Sequence, residues 1–215
     1  MLRLYTYFRS SAAFRVRIAL NLKGLPYDSI PIHLLRDGGQ QHTPDYRATS
    51  PLGTVPALET GDGIITQSLA IIEYLEETHP IPALLPAGPT ARARVRSIAQ
   101  TIACEIHPLN NLRVLTYLKN TLTVDEAATK AWYCHWVGAG LAAVETMLKA
   151  SSETGEYCHG DVPTMADCCL VPQVFNARRF NCSLEAMPTI RRIVGRCESL
   201  DAFQRAAPDN QADRE

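Results

Sequence analysis

The sequence predicts an α/β N-terminal domain followed by an all-α half, and three observations carry that prediction. Up to about Leu85, short runs of strand character alternate with helical ones. From Ala91 onward the apolar spacing is almost wholly helical. Between them lies His79-Pro80-Ile81-Pro82-Ala83-Leu84-Leu85-Pro86-Ala87-Gly88-Pro89, whose four prolines remove backbone donors and stop helices. The expected boundaries are 1–83 for the first domain, 84–90 for the linker and 91–215 for the helical domain. The polar residues from Pro208 onward are expected to be loose.

Taken in order, Leu2, Leu4 and Phe8 alternate with Arg3, Tyr5 and Tyr7, the period of a strand. Ser10-Ser11 then open a helix in which Phe14, Ile18 and Leu22 fall on one face. Arg15, Arg17 and Lys23 lie off that face, and Gly24 is placed to end the helix. Tyr27 to Leu34 reads as a second strand, pushed toward a sheet edge by Pro31. After a polar stretch, the runs Val55 to Thr60 and Ile64 to Thr66 flank Gly61-Asp62-Gly63 and form a hairpin. Gln67-Ser68 open another helix carrying Leu69, Ile72 and Leu75 inward. The order β-α-β, polar connection, β-β-α is that of a thioredoxin-like domain. In the second half, Pro108 interrupts the helical run Ala91 to Lys119, and His107, Asn110 and Asn111 fall within one turn of it. Thr164-Met165-Ala166-Asp167 reads as a capping box with Asp in the Glu position, a folding device.

Composition narrows the function. The chain is 46% hydrophobic and 20% charged, and 21 basic residues face 22 acidic ones. A net charge of −1 supplies no footprint for nucleic acid or a membrane surface. The opening MLRLYTYFRS has no apolar core of a signal peptide, so the expected address is the cytosol. The seven cysteines are scattered and odd in number. Neither a disulfide framework nor a metal site is expected of them, and most read as small buried apolar residues.

Tyr7-Phe8-Arg9-Ser10-Ser11 with Arg15-Val16-Arg17-Ile18-Ala19-Leu20 resembles the signature of zeta-class glutathione transferases. That class includes maleylacetoacetate isomerase and maleylpyruvate isomerase. The resemblance continues through Ser50-Pro51, Val55-Pro56-Ala57-Leu58, Gln67-Ser68, His107-Pro108-Leu109-Asn110-Asn111 and Gly160 to Asp167, and so spans nearly the whole chain. It looks closest to the bacterial maleylpyruvate isomerases through Val171-Pro172-Gln173-Val174, Ala177-Arg178-Arg179-Phe180 and Leu200-Asp201-Ala202-Phe203. The chain departs from the class twice: Ala12 stands where the zeta pattern has cysteine, and Leu112 stands where close relatives carry an additional arginine.

The resemblance implies glutathione as cofactor, a small maleyl diacid as substrate, cis–trans isomerisation to the fumaryl product in aromatic or tyrosine catabolism, and a homodimer. The residues make chemical sense of it. A free thiol is mostly protonated at neutral pH, and the thiolate is the nucleophile. Ser10 or Ser11 offers a hydroxyl donor at the positive end of a helix, and lowering a thiol pKa by ~2 units takes only about 2.7 kcal/mol. Val55, ahead of a cis Pro56, is expected to pair its backbone with the cysteinyl part of the tripeptide. Gln67 and Ser68, at a helix start, would hold the γ-glutamyl carboxylate. His107, Asn110 and Asn111 would reach the cofactor from the second half. Arg9, with Arg178 or Arg179, would grip the substrate carboxylates. Tyr5 and Tyr7 are rival sulfur donors, but their alternation along a strand favours packing. A general zeta-class transferase or dehalogenase, a glutaredoxin-like oxidoreductase and a non-enzymatic scaffold are the alternatives. The second needs a cysteine that Ser10-Ser11-Ala12-Ala13 lacks.

Overall fold

A computed structural model describes all residues, 1–215. The chain forms two compact units, one of residues 1–84 and 198–215, the other of residues 85–197.

The first unit is built on a four-stranded sheet of order β2-β1-β3-β4, with β1 Leu2–Thr6, β2 Tyr27–Pro31, β3 Ala57–Thr60 and β4 Gly63–Thr66. β1 runs parallel to β2, pairing Leu2 with Tyr27 and Thr6 with Pro31. A parallel pair needs a crossover, and helix α1 (Ser11–Leu22) supplies it. β1 pairs antiparallel with β3, and β3 with β4 across the expected tight turn. Pro31 lies on the edge strand, where its missing N–H costs no ladder bond. α1 ends where Gly24 turns left-handed at φ +65°, a conformation that suits glycine. Helices α2 (Pro44–Thr49) and α3 (Ser68–Thr78) complete the N-terminal part.

The arginines and the lysine that lie off the apolar face of α1 are nevertheless buried: Arg15, Arg17 and Lys23 are 2%, 0% and 7% exposed. The reason is that α1 is covered from several sides, by α3 and by α10 (Asp201–Ala206) from the far end of the chain. Lys23 and Arg17 are satisfied by oxygen. Lys23 Nζ donates to Glu76 at 2.8 Å and to the carbonyls of His79 and Pro82. Arg17 donates to Ala206 O, Thr6 Oγ1 and Phe8 O at 2.9–3.0 Å.

The boundary at Leu84 falls in the proline-rich segment, but the helical half does not run to the C-terminus. Residues 198–215 belong with the first unit. Nor is the tail from Pro208 loose. Pro208 is buried, the Phe8 N–H donates to Asp213 Oδ2 at 3.0 Å, and Glu215 is paired with Arg36 and His33. Polarity alone misread it, because its polar groups have partners in the first unit.

The second unit contains α4 (Pro89–Gln100), a π-helical segment Thr101–Ile106, α5 (His107–Asn110), α6 (Leu112–Asn120), α7 (Glu126–Lys149), α8 (Met165–Arg179) and α9 (Pro188–Glu198), whose last residue falls to the first unit. Pro108 cannot donate to the carbonyl four residues before it, and the helix widens just ahead of it. α7 packs closely on that wide turn. A Cβ on Gly140 would stand 2.3 Å from Ile106 Cγ1, so only glycine fits there. The capping box forms as expected: Asp167 Oδ2 accepts from the N–H and hydroxyl of Thr164, and Oδ1 from Cys158 N–H.

One expectation about the cysteines fails. Cys134 on α7 and Cys182, just beyond α8, form a disulfide. They stand 48 residues apart in sequence and 5.2 Å apart at Cα, a proximity that only the packing of α7 against the end of α8 creates. Cys158, Cys168, Cys169 and Cys197 are buried as expected, whereas Cys104 is exposed.

Candidate functional site

In the first unit, two helix starts and one loop converge on the same chemistry. Ser10 is the N-cap of α1: its Oγ accepts from the Ala13 N–H at 3.2 Å, and its own N–H donates to Tyr7 O. A hydroxyl has one hydrogen and two lone pairs, so capping uses only a lone pair and leaves the O–H to donate. Ser10 is half-buried, whereas Ser11 is 4% exposed. No acidic side chain sits in the first turn to compete for the positive end of the helix. Arg9 is exposed, with its guanidinium 4.8 Å from the centre of the Phe8 ring.

The second helix start is that of α3. Gln67 occupies the cap position with φ +72°, left-handed backbone that a non-glycine residue rarely adopts. Ser68 is the first helical residue rather than the N-cap, and its Oγ accepts from Arg15 Nη1 at 3.2 Å. The buried guanidinium thus joins the two helices and adds positive charge where backbone N–H groups already favour an anion. Nothing in the sequence distinguishes Arg15 from a surface arginine; its role comes from the burial of α1.

The loop before β3 carries Val55 and Pro56, and their peptide bond is cis. Val55 lies outside the ladder, which ends at the Tyr5–Ala57 pair. It packs in one apolar cluster with Tyr7, Phe8 and Tyr46, which sets it beside the loop leading to Ser10. Tyr46 Oη and Ser50 Oγ both donate to Thr54 O, at 2.8 and 2.9 Å, and hold that loop in place. Burial pushes the Tyr46 phenol up, so it stays a donor. Tyr46 is a second residue the sequence did not single out.

The tyrosine rivals are occupied otherwise. Tyr5 Oη donates to Glu59 at 2.9 Å, and burial first, then that bond, raises its pKa. Tyr7 is buried edge-on to Phe8 and His33. No cysteine of the chain stands at a helix start as nucleophile, and burial pushes the thiols of Cys158 and Cys168 up, away from the reactive thiolate.

In the second unit, His107 and Asn111 pair directly, Asn111 Nδ2 lying 3.1 Å from His107 Nε2. Asn111 Oδ1 also accepts from Arg113 N–H and caps α6. Asn110 does not join them: it is 9% exposed, and its Nδ2 has no partner. Arg178 and Arg179 are exposed in the last turn of α8, a favourable place for cations. Arg179 lies 4.8 Å from the centre of the Phe180 ring, which stacks on Tyr133 at 3.7 Å. Adjacent residues of α7 brace both groups, since Trp132 Nε1 donates to Leu109 O at 2.7 Å while Tyr133 holds Phe180.

Residues 4–88 match the family model described as "Glutathione S-transferase, N-terminal domain". The chain is 49% identical over 213 residues to a maleylpyruvate isomerase of Ralstonia sp., covering 99% of each. It superposes with TM-score 0.96 on a holo maleylpyruvate isomerase described as a zeta-class bacterial glutathione S-transferase, at 48% identity over 99% of this chain and 100% of the other. A maleylacetoacetate isomerase of Methylobacterium extorquens AM1, solved with malonate and glutathione, superposes at 0.95, with 43% identity and 99% of both chains covered. The serine-led helix, the cis proline loop and these full-length likenesses agree, and the chain belongs to the zeta class of the glutathione transferase family.

Proposed function

We propose that the chain is a glutathione-dependent cis–trans isomerase of a maleyl keto-diacid, maleylpyruvate or maleylacetoacetate. The observation that carries the reading is the hydroxyl of Ser10 at the start of α1, with Arg15 joining that helix to Ser68 at the start of α3. These residues fit the cofactor. Ser10 offers an O–H to a sulfur, the backbone of Val55, outside the strand ladder, suits an extended peptide, and Gln67, Ser68 and Arg15 suit a carboxylate. When bound, glutathione supplies a thiolate that adds reversibly to the cis double bond and lets it rotate.

Each residue has a part in this reading. Ser10 donates to the sulfur, and the helix terminus adds its positive field, which together hold the thiol ionised near neutral pH. Ser11 is too buried to be the first choice, although it flanks the same helix start. Arg9 and one of Arg178 and Arg179 bind the substrate carboxylates, and arginine or backbone donors stabilise the charge that builds on the ketone oxygen. His107, Asn110 and Asn111 are further proposed contacts of the cofactor, His107 and Asn111 pairing with each other. Full-length relatives carrying these activities support the assignment, and structures of relatives holding glutathione support the cofactor. A cytoplasmic homodimer acting in aromatic or tyrosine catabolism is the setting we propose. No helix is long and apolar enough to cross a membrane.

The test is spectrophotometric assay of both diacids with and without glutathione. Isomerisation that requires the thiol, and falls by about two orders of magnitude in Ser10→Ala, is the expected result. Equal rates without glutathione exclude the mechanism. Conjugation of an organic halide without isomerisation would favour a general transferase.

A further inference from the structure

We infer that Asp213 is a positioning residue for thiol activation, acting through the backbone of Phe8 on Arg9 and Ser10; this rests on the function proposed above. Phe8 is the hinge of the site. Its ring lies under the Arg9 guanidinium, and Ser10 follows two residues later, tied back by its N–H to Tyr7 O at 2.9 Å. Both backbone groups of Phe8 are held by charged side chains. Its N–H donates to Asp213 Oδ2 at 3.0 Å, and its carbonyl accepts from Arg17 Nη2 at 3.0 Å. Arg17 is itself fixed to the C-terminal segment by donating to Ala206 O at 2.9 Å. The loop that delivers the sulfur-activating hydroxyl is thus held on one side by Asp213 and on the other by Arg17, which is itself bonded to the C-terminal segment.

The clasp is anchored at several points. Asn210 and Gln211 side chains donate to the carbonyls of Gln204, Arg205 and Ala207. Glu215 pairs with Arg36 and His33. The negative charge of Asp213 also favours the buried Arg17 cation, which burial alone opposes. A charge-assisted bond to a backbone N–H defines position more tightly than a neutral one. Small displacements of an activating group cost rate steeply. Asp213 itself touches neither cofactor nor substrate in this reading.

The experiment compares wild type, Asp213→Ala, Asp213→Asn and Glu215→Gln. Its first readout is titration of the bound glutathione thiolate by ultraviolet absorbance, which needs no substrate. Its second is the pH profile of kcat and the KM for glutathione, with thermal melts as a check on folding. Asp213→Ala is expected to raise the thiol midpoint by about one pH unit and to lower kcat at neutral pH about tenfold, with KM for glutathione little changed. Asp213→Asn retains an oxygen acceptor and is expected to restore most of that loss. Glu215→Gln, which leaves the Phe8 bond intact and loosens only a distant anchor of the tail, is expected to shift the thiol midpoint less than Asp213→Ala does. A wild-type midpoint in Asp213→Ala overturns the inference while leaving the isomerase reading standing. So does a loss that follows only the fall in melting temperature. Failure of wild type to bind glutathione would instead sink the isomerase reading and take this inference with it.

Discussion

Asp167 is 0% exposed, and burial raises its carboxyl pKa against the pull of the Cys158 and Thr164 N–H donors. A carboxyl whose folded pKa lies above its unfolded one is favoured in its neutral form by the fold. Its contribution is complete below the unfolded value, about 4, and is lost as pH rises through the folded value. Urea midpoints of wild type and Asp167→Asn should therefore differ by an amount that moves in favour of wild type as pH is lowered from 7 toward 4. A difference constant in pH would contradict the assignment. The capping box was legible because four neighbouring residues carry it. The helix starts at Ser10-Ser11 and Gln67-Ser68 and the proline loop at Val55-Pro56 were legible for the same reason. Arg15 and Asp213 were not, because each acts on a partner tens of residues or more away, Ser68 and Phe8; nor was Tyr46, whose partners, Thr54 and the site cluster, lie outside its own helix.

Elements follow the same division. The hairpin β3–β4 announces itself through Gly61-Asp62-Gly63, and the linker through its prolines. The π-helical segment before His107 does not, since its apolar spacing reads as ordinary helix until Pro108 is reached. What ties elements together is less visible still. Lys23, at the end of α1, sits 2.8 Å from Glu76 on α3, with the two side chains 0% and 6% exposed. Glu76 Oε2 also accepts from Leu84 N–H, and Lys23 holds the His79 and Pro82 carbonyls. This buried pair staples the proline-rich segment to two helices. Lys23→Met strands the Glu76 carboxylate and should lower the unfolding free energy by about 3–5 kcal/mol in urea titration. A change below about 1 kcal/mol would place the pair on the surface class instead.

For the whole molecule, the covalent path is as informative as the sheet. Seven cysteines less the bonded Cys134 and Cys182 leave five thiols. Alkylation in denaturant without reductant should therefore label five sites, and seven after reduction. Joining residues 48 apart restricts the unfolded chain by about 4 kcal/mol on the chain-entropy account, so reductant should lower the melting temperature measurably. Labelling of seven sites without reductant would refute the bond. The other long-range feature is that the first unit is discontinuous: the chain leaves it at Leu84 and re-enters at Glu198. Arg17, with no exposed surface, finds the Ala206 carbonyl only after that return. During synthesis the N-terminal portion emerges from the ribosome more than a hundred residues before the piece that completes it, as the span 85–197 shows. Until then a nascent first half holds an arginine whose burial would be unmet. Vectorial folding should consequently pause with that half unfinished, leaving thiol-activating competence among the last properties the newborn polypeptide acquires.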